Sequence, residues 1–199
     1  MAAMLLVPLS YLIGSIPFSF MVGRFLGGVD LRKIGSGNVG ATNTLRSLGA
    51  KAGLLAFFLD MLKGLLVVAL AACFNADLTI RLLCGVLVVV GHCWSIFLKF
   101  SGGKGVATSA GVLVCIALIP FFAALTAFLL SVVTTRLVSL GSILAAVVLP
   151  FATLLWAPSS EYVWFSIALS VIVLYKHNVN LQRLLQGTEE RLGNSKKSS

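Results

Sequence analysis

The chain is a series of apolar runs, each close to the length a helix needs to cross a bilayer, about 20 residues for a hydrocarbon core of roughly 30 Å. The clear runs are Met4–Phe25, Ala52–Phe74, Leu78–Leu98, Leu140–Trp156 and Tyr162–Lys176. One further run, Val106–Thr135, carries Pro120 near its middle. As a single helix it would reach about 45 Å, so two short helices broken at Ile119–Pro120 are predicted, each tilted or partly inserted. Composition points the same way. Hydrophobic residues make up 59% of the chain and charged residues 11%, against roughly 45–50% and about 25% in a soluble domain. Too few polar residues remain to cover a water-soluble globule. The expected fold is an all-α, polytopic transmembrane bundle of seven spans.

The count of seven rests on charge. Lys and Arg total 15 against six Asp and Glu. With seven spans, every Lys and Arg except Arg81 and the intramembrane Lys63 falls on one side, including Arg136, Arg191, Lys196 and Lys197. With six spans that asymmetry largely vanishes. The positive-inside rule therefore favours seven, with the N-terminus outside and the C-terminus cytoplasmic. The first run has no basic segment before it and no small-residue cleavage site, so it is read as an uncleaved membrane helix rather than a signal peptide. Cys73, Cys84, Cys93 and Cys115 show no CxxC pairing and read as small hydrophobes.

This topology gathers the polar, glycine-rich stretches on the cytoplasmic face. Residues 27–51, 99–108 and 176–190 form the motif-bearing loops of a single domain over 1–199, and 191–199 is expected to be a flexible tail. The first loop carries Gly35-Ser36-Gly37-Asn38-Val39-Gly40-Ala41-Thr42-Asn43 and then Arg46. Its glycines can aim backbone amides at one point, and Arg46 offers a fork for phosphate oxygens, although a plain flexible loop would look similar. The second carries Gly102-Gly103-Lys104-Gly105 directly before an apolar helix. That is either an anion site at a helix start or a tight turn with a snorkelling lysine. His92 lies about two turns deeper and could serve the site or make a core hydrogen bond. Asp60 and Lys63, three apart in the second span, share a helix face and can pair. The tail carries His177, Asn180, Arg183 and Glu189 beside an interfacial stripe of Leu181, Leu184 and Leu185. No H-x-x-x-x-D pattern, G-x-S-x-G elbow or metal-type cluster is present.

In this order, these stretches resemble the bacterial integral-membrane, acyl-phosphate-dependent glycerol-3-phosphate acyltransferases, the PlsY family. The resemblance covers nearly the whole chain: Gly14-Ser15-Ile16-Pro17-Phe18, Ser36-Gly37-Asn38-x-Gly40-Ala41-Thr42-Asn43, Asp60-x-x-Lys63-Gly64, Gly91-His92, Phe97 through Thr108, and His177-x-x-Asn180-x-x-Arg183 with Gly187 and Glu189. Ser95 departs from it, standing where the family carries Pro, a change expected to alter the local helix end and not the activity.

The resemblance implies transfer of a fatty acyl group from acyl phosphate to the 1-hydroxyl of sn-glycerol 3-phosphate, giving lysophosphatidic acid and phosphate. Catalytic roles are then expected for His177, Asn180, Lys104 and Ser36. Substrate contacts are expected from Gly37, Asn38, Gly40, Thr42, Asn43, Arg46, Lys63, Gly102, Gly103, Gly105 and Ser142, the last as an extra donor. Asp60, His92, Arg183 and Glu189 would support them. The proton of the attacking hydroxyl would go to His177 or to a substrate phosphate oxygen. Expected partners are glycerol 3-phosphate, a long-chain acyl phosphate and inner-leaflet lipid, with an acyl-phosphate-producing enzyme as a candidate protein neighbour. No nucleic acid, metal or other cofactor is expected, and the expected location is the bacterial inner membrane with the site facing the cytoplasm. The competing reading is a small transporter of phosphate or a phosphorylated solute, which would more often place its polar groups near mid-membrane.

Overall fold

A computed structural model describes residues 2–193; Lys196 and Lys197, and with them most of the tail read as flexible, lie outside the described residues. Among the described residues ten α-helices follow one another: α1 (Ala2–Ser15), α2 (Phe18–Gly27), α3 (Ala41–Leu48), α4 (Ala50–Cys73), α5 (Leu78–Cys93), α6 (Val106–Ile116), α7 (Leu118–Thr135), α8 (Val138–Trp156), α9 (Ser160–Lys176) and α10 (Asn178–Leu185). Among the described residues there is no strand, only an isolated bridge between Ser95 and Ser101.

Three of the predicted spans differ in detail, each for a local reason. The first run is broken at Ile16–Pro17, because proline has no amide to donate and disfavours helix at the residue before it. The third predicted span, α5, stops at Cys93 rather than Leu98, and a 3-10 turn, Ile96–Leu98, follows. There Lys99 and Phe100 both take left-handed backbone, with φ of 55° and 59°, and Ser95 donates to the Ser15 carbonyl at 2.5 Å. The break in the long run falls at Ala117 (φ −148°) and not at Pro120. Pro120 occupies the first turn of α7, where its missing amide has no intrahelical partner to lose. The first long loop also holds more structure than expected: a 3-10 turn, Leu31–Lys33, capped by Asp30, and the helix α3.

The main pairings are α1 on α5, α4 on α6 and α7 on α8. Glycines let two of them close tightly. A side chain at Gly91 would come within 2.2 Å of the Tyr11 carbonyl of α1, and one at Gly111 within 1.9 Å of the Met61 carbonyl of α4. Small residues at crossing points are the usual route to close packing in lipid, where apolar burial alone gives helices no reason to associate. Val88, Val89, Val112 and Leu169 fill the interior, while Phe25, Leu155 and Leu130 point outward. By length and hydropathy, Met4–Gly27, Ala50–Cys73, Leu118–Thr135 and Val138–Trp156 suffice to cross a membrane, α9 and α10 form a pair bent by 59°, and α5 and α6 are shorter apolar helices.

Candidate active site

The break at Pro17 supplies the deepest layer of the site. It frees the Ile16 carbonyl, which accepts from Lys63 Nζ at 2.8 Å. The same ammonium pairs with Asp60 Oδ1 at 2.8 Å, both side chains being almost wholly buried. Asp60 Oδ2 accepts from Ser19 at 2.5 Å, and His92 Nδ1 stands 3.4 Å from Oδ1. One buried carboxylate thus ties α2, α4 and α5 together. Lys63 faces this cluster and does not line the cavity above it, so it braces the site instead of meeting a phosphate from below.

That cavity, of about 120 Å³, is lined by Ser36, Asn38, Gly40, Thr42, Asn43, Arg46, Asp60, His92, Lys104, Gly105, Ser142, His177, Asn180 and Glu189 among the residues singled out from sequence. Gly37, Gly102, Gly103, Lys63 and Arg183 stand outside the lining. Phe57, Phe128 and Ser139 join it unanticipated. Phe57 was legible in principle, one turn from Asp60 on the same face of α4; Phe128 and Ser139 are brought in only by how α7 and α8 pack.

Asn43 organises the first loop. Its Nδ2 lies 3.0, 3.1 and 3.0 Å from the carbonyls of Leu31, Ile34 and Asn38, and its Oδ1 accepts the Ser36 amide at 3.0 Å. With its Nδ2 protons committed to carbonyls and Oδ1 accepting one amide, it positions the loop. Two amides of the glycine turns are engaged as well. Gly37 N donates to the Ile34 carbonyl at 3.0 Å and Gly103 N to the His92 carbonyl at 3.1 Å. Gly103 is glycine because a Cβ there would meet His92 Nε2 at 2.1 Å, and one at Gly102 would meet the His92 carbonyl at 2.2 Å.

Amides just after the turns are also placed to meet an anion. Gly40 caps α3 and Gly105 caps α6. Ala41 and Thr42 in one first turn, and Val106 and Ala107 in the other, border the cavity. First-turn amides have no intrahelical acceptor and sit at the positive end of the helix dipole. Gly105 alone of the Gly102–Gly105 turn has a positive φ, 84°, which sets the sharp entry into α6.

Above these lie the charges. Lys104 Nζ donates to Asn180 Oδ1, Asn180 Nδ2 donates to Glu189 Oε1 at 2.8 Å, and Arg183 Nε donates to Glu189 Oε2 at 2.9 Å. Arg183 thus acts through Glu189. Burial pushes the Lys104 ammonium down to about 8, with Glu189 working against that shift and Arg183, Arg46 and Lys176 adding to it. Burial also pushes His177 down to about 4, so its ring is neutral near neutral pH. His177 Nδ1 lies 2.8 Å from the Val173 carbonyl. A carbonyl can only accept, so the proton sits on Nδ1 and Nε2 keeps its lone pair. Ser142 lines the cavity and donates to the Val138 carbonyl at 2.9 Å, which leaves its lone pairs to accept.

The family model for glycerol-3-phosphate acyltransferase matches residues 4–187. A glycerol-3-phosphate acyltransferase 2 of Moorella thermoacetica is 46% identical over 96% of this chain and 97% of its own length. A glycerol-3-phosphate acyltransferase of a Synechococcus strain is 42% identical over 100% and 99%. Crystal structures of PlsY (YgiH), described as an integral membrane glycerol 3-phosphate acyltransferase, superpose with a TM-score of 0.91 for the glycerol 3-phosphate form and 0.89 for the lysophosphatidic acid form. They share 38% and 37% identity, each over 97% of this chain and 96% of the other. Matched end to end in sequence and in helix arrangement, this chain belongs to the glycerol-3-phosphate acyltransferase family.

Proposed function

We propose that this protein transfers a fatty acyl group from an acyl phosphate to the 1-hydroxyl of sn-glycerol 3-phosphate, giving lysophosphatidic acid and inorganic phosphate. The observation that carries the reading is the meeting of Lys104, Arg46 and the starts of α3 and α6 in one polar cavity that adjoins an apolar one. The two share Phe57, Val106, Phe128 and Ser142. A polar chamber beside an apolar chamber suits a molecule with phosphate at one end and an alkyl chain at the other.

In the reaction the glycerol hydroxyl oxygen attacks the acyl carbonyl carbon. The ester C–O bond forms, the anhydride C–O bond breaks, and phosphate leaves with the electron pair. Because the anhydride is already activated, the protein's tasks are positioning and charge neutralisation. Arg46 and Lys104 neutralise the phosphates, the first-turn amides of α3 and α6 hydrogen-bond them with Ser36, Asn38 and Thr42, and Asn180 and His177 border the reacting carbonyl. The hydroxyl proton passes to a substrate phosphate oxygen, with His177 Nε2 as the alternative acceptor.

The proposed topology is one integral-membrane unit of seven spans, N-terminus outside and C-terminus inside, in the bacterial inner membrane with the site toward the cytoplasm. Its support is the charge asymmetry, since Arg81 and Lys63 are the exceptions among the basic residues. Cysteines placed at Glu161 and Arg136 test it: an impermeant thiol reagent on intact cells should label the first and spare the second. The activity is tested by incubating purified protein with palmitoyl phosphate and glycerol 3-phosphate. Phosphate release only when both are present supports acyl transfer, and no product with either acyl phosphate or acyl-CoA overturns it.

A further inference from the structure

Between α5 and the Gly102–Gly105 turn the chain makes a knuckle, Ser95–Ser101, of fixed shape. Its base is closed by the bridge between Ser95 and Ser101. The Ser95 carbonyl accepts the amides of Leu98 at 3.1 Å and Phe100 at 2.8 Å. Lys99 and Phe100 are consecutive left-handed residues, a conformation that costs energy for any side chain with a Cβ. The backbone carries that strain and turns Phe97 and Phe100 outward, 61% and 62% exposed, with Ile96 beside them. Leu98 turns inward and packs with Leu31 and Val39 of the first loop.

The surroundings of the knuckle have the composition of a bilayer surface. Trp94, at its root, lies 6.0 Å from the Tyr175 ring. The Trp94 carbonyl accepts from the Tyr11 hydroxyl at 2.9 Å, and the Lys176 ammonium sits 5.1 Å from the Trp94 ring centre. Tryptophan, tyrosine and snorkelling lysine collect where membrane meets water. Positive charge gathers there too. Lys99 is on the knuckle itself. Arg24 and Arg32 stand 5.7 and 5.1 Å from the ring centre of Phe20, which packs on the cluster of Leu31, Val39 and Leu98. Both guanidiniums share the single carboxylate of Asp30 and remain close to half exposed, so positive charge is in excess. Phe25 and Leu26, next along α2, continue the exposed apolar surface.

We propose that this knuckle is a docking site for anionic phospholipid. Phe97 and Phe100 seat among the upper chain segments of the leaflet, and Lys99, with Arg24 and Arg32 on its flank, takes the headgroup phosphate. Lipid is the occupant because exposed aromatics and excess positive charge lie together here, beside a belt of Trp94, Tyr175 and Tyr11. Leu98 carries the docking inward to both phosphate-holding turns. Leu31 and Val39 frame the loop that bears Ser36 and Asn38, and Lys104 stands three residues beyond Ser101. Docked lipid therefore steadies Lys104. That effect on substrate binding rests on the acyl-transfer reading above; the lipid site itself does not.

The test uses the full chain in vesicles, with Phe97→Trp as a fluorescent reporter and the wild-type signal subtracted. Quenching by brominated phosphatidylglycerol in phosphatidylcholine, and by the reverse mixture, gives the relative affinity of the two lipids at this position. The anionic lipid should be preferred by about fivefold or more, the scale of one basic residue near a charged surface. Adding Lys99→Asn, which removes the charge and suits left-handed backbone, should cut that preference by about fivefold. In vesicles containing phosphatidylglycerol, KM for glycerol 3-phosphate should be about fivefold higher for Lys99→Asn than for wild type. In pure phosphatidylcholine the two should agree within about twofold. Equal quenching by both lipids overturns the anionic site. Quenching by aqueous iodide and by neither brominated lipid overturns lipid docking and gives the surface to water or a protein partner. A lipid preference with unmoved KM overturns the link to Lys104. Should Phe97→Trp fail to fold, Phe100→Trp reports from the same surface. Absence of product with every donor would be a failure of acyl transfer, and the quenching is measured without it.

Discussion

Arg46 donates to the carboxylate of Glu190 at 3.1 Å and to its main-chain carbonyl at 2.8 Å, joining residues 144 positions apart. The contact ties α3 to the segment after α10, and Leu192 extends it by donating to the Arg136 carbonyl at 2.8 Å. Arg46 also lines the polar cavity, so a substrate phosphate and the Glu190 carboxylate would compete for one guanidinium. Glu190 is more than half exposed, which keeps the ion pair weak, on the order of 0.2–1 kcal/mol. Glu190→Gln should lower KM for glycerol 3-phosphate by about 1.4-fold to fivefold, the equivalent of that energy, with kcat little changed. A raised KM would show instead that Glu190 holds Arg46 in its working position.

Lys104→Ala should reduce kcat/KM by at least about a hundredfold, the effect of removing one preorganised donor from a site where charge develops. The loss should exceed that of Asn180→Ala, since Asn180 orients the ammonium and carries no charge. A near-normal rate for Lys104→Ala would remove it from the mechanism.

The depressed Lys104 sets a pH dependence. With burial holding it at about 8, the ammonium is charged below that pH and neutral above it. Glycerol 3-phosphate affinity should therefore hold through neutral pH and fall as pH rises through about 8. Glu189 favours the charged form, so Glu189→Gln should move this alkaline limb to lower pH. A limb that stays put in the variant would assign it to another group.

His177→Gln retains a hydrogen-bonding side chain and cannot act as a base. If a substrate phosphate oxygen takes the proton, this variant should keep at least about tenfold more activity than His177→Ala, since one well-placed hydrogen bond in a dry site is worth that much or more. If the two variants are equally inactive, His177 is the base. His177→Ala within a few-fold of wild type would exclude it from both roles.

Asp60→Asn should act on the fold before it acts on the chemistry. It leaves the Lys63 ammonium buried beside an amide, and breaking such a pair typically destabilises by about 3–5 kcal/mol. The measurement is thermal stability in detergent, which should fall clearly more for Asp60→Asn than for Lys104→Ala.

The helical class and the positions of the motif stretches were legible because apolar run length and residue type are local properties. Much of the site was legible for the same reason: Arg46, Lys104, His177 and Asn180 sit where glycine-rich or polar segments interrupt apolar runs. The roles of Asn43, Ser142, Gly103 and Lys63 were not. Each has the donor chemistry expected of a ligand contact, yet each directs it to a carbonyl or carboxylate that folding brings near. Nothing local to Asn43 announces the Leu31 carbonyl, twelve residues away.

The amino-acid sequence by itself determined that this chain is a helical membrane protein, because bilayer thickness and backbone hydrogen bonding leave long apolar segments one structure to adopt; its ordered motif stretches carried the resemblance to the glycerol-3-phosphate acyltransferases. Tertiary structure alone decided which polar groups remain for substrate. A buried donor must find an acceptor, and packing chooses that acceptor: the Pro17 break takes Lys63, the loop carbonyls take Asn43, and His92 takes the Gly103 amide. Facing the cavity are Arg46, Lys104, Ser36, Asn38, Thr42, His177, Asn180 and the first turns of α3 and α6.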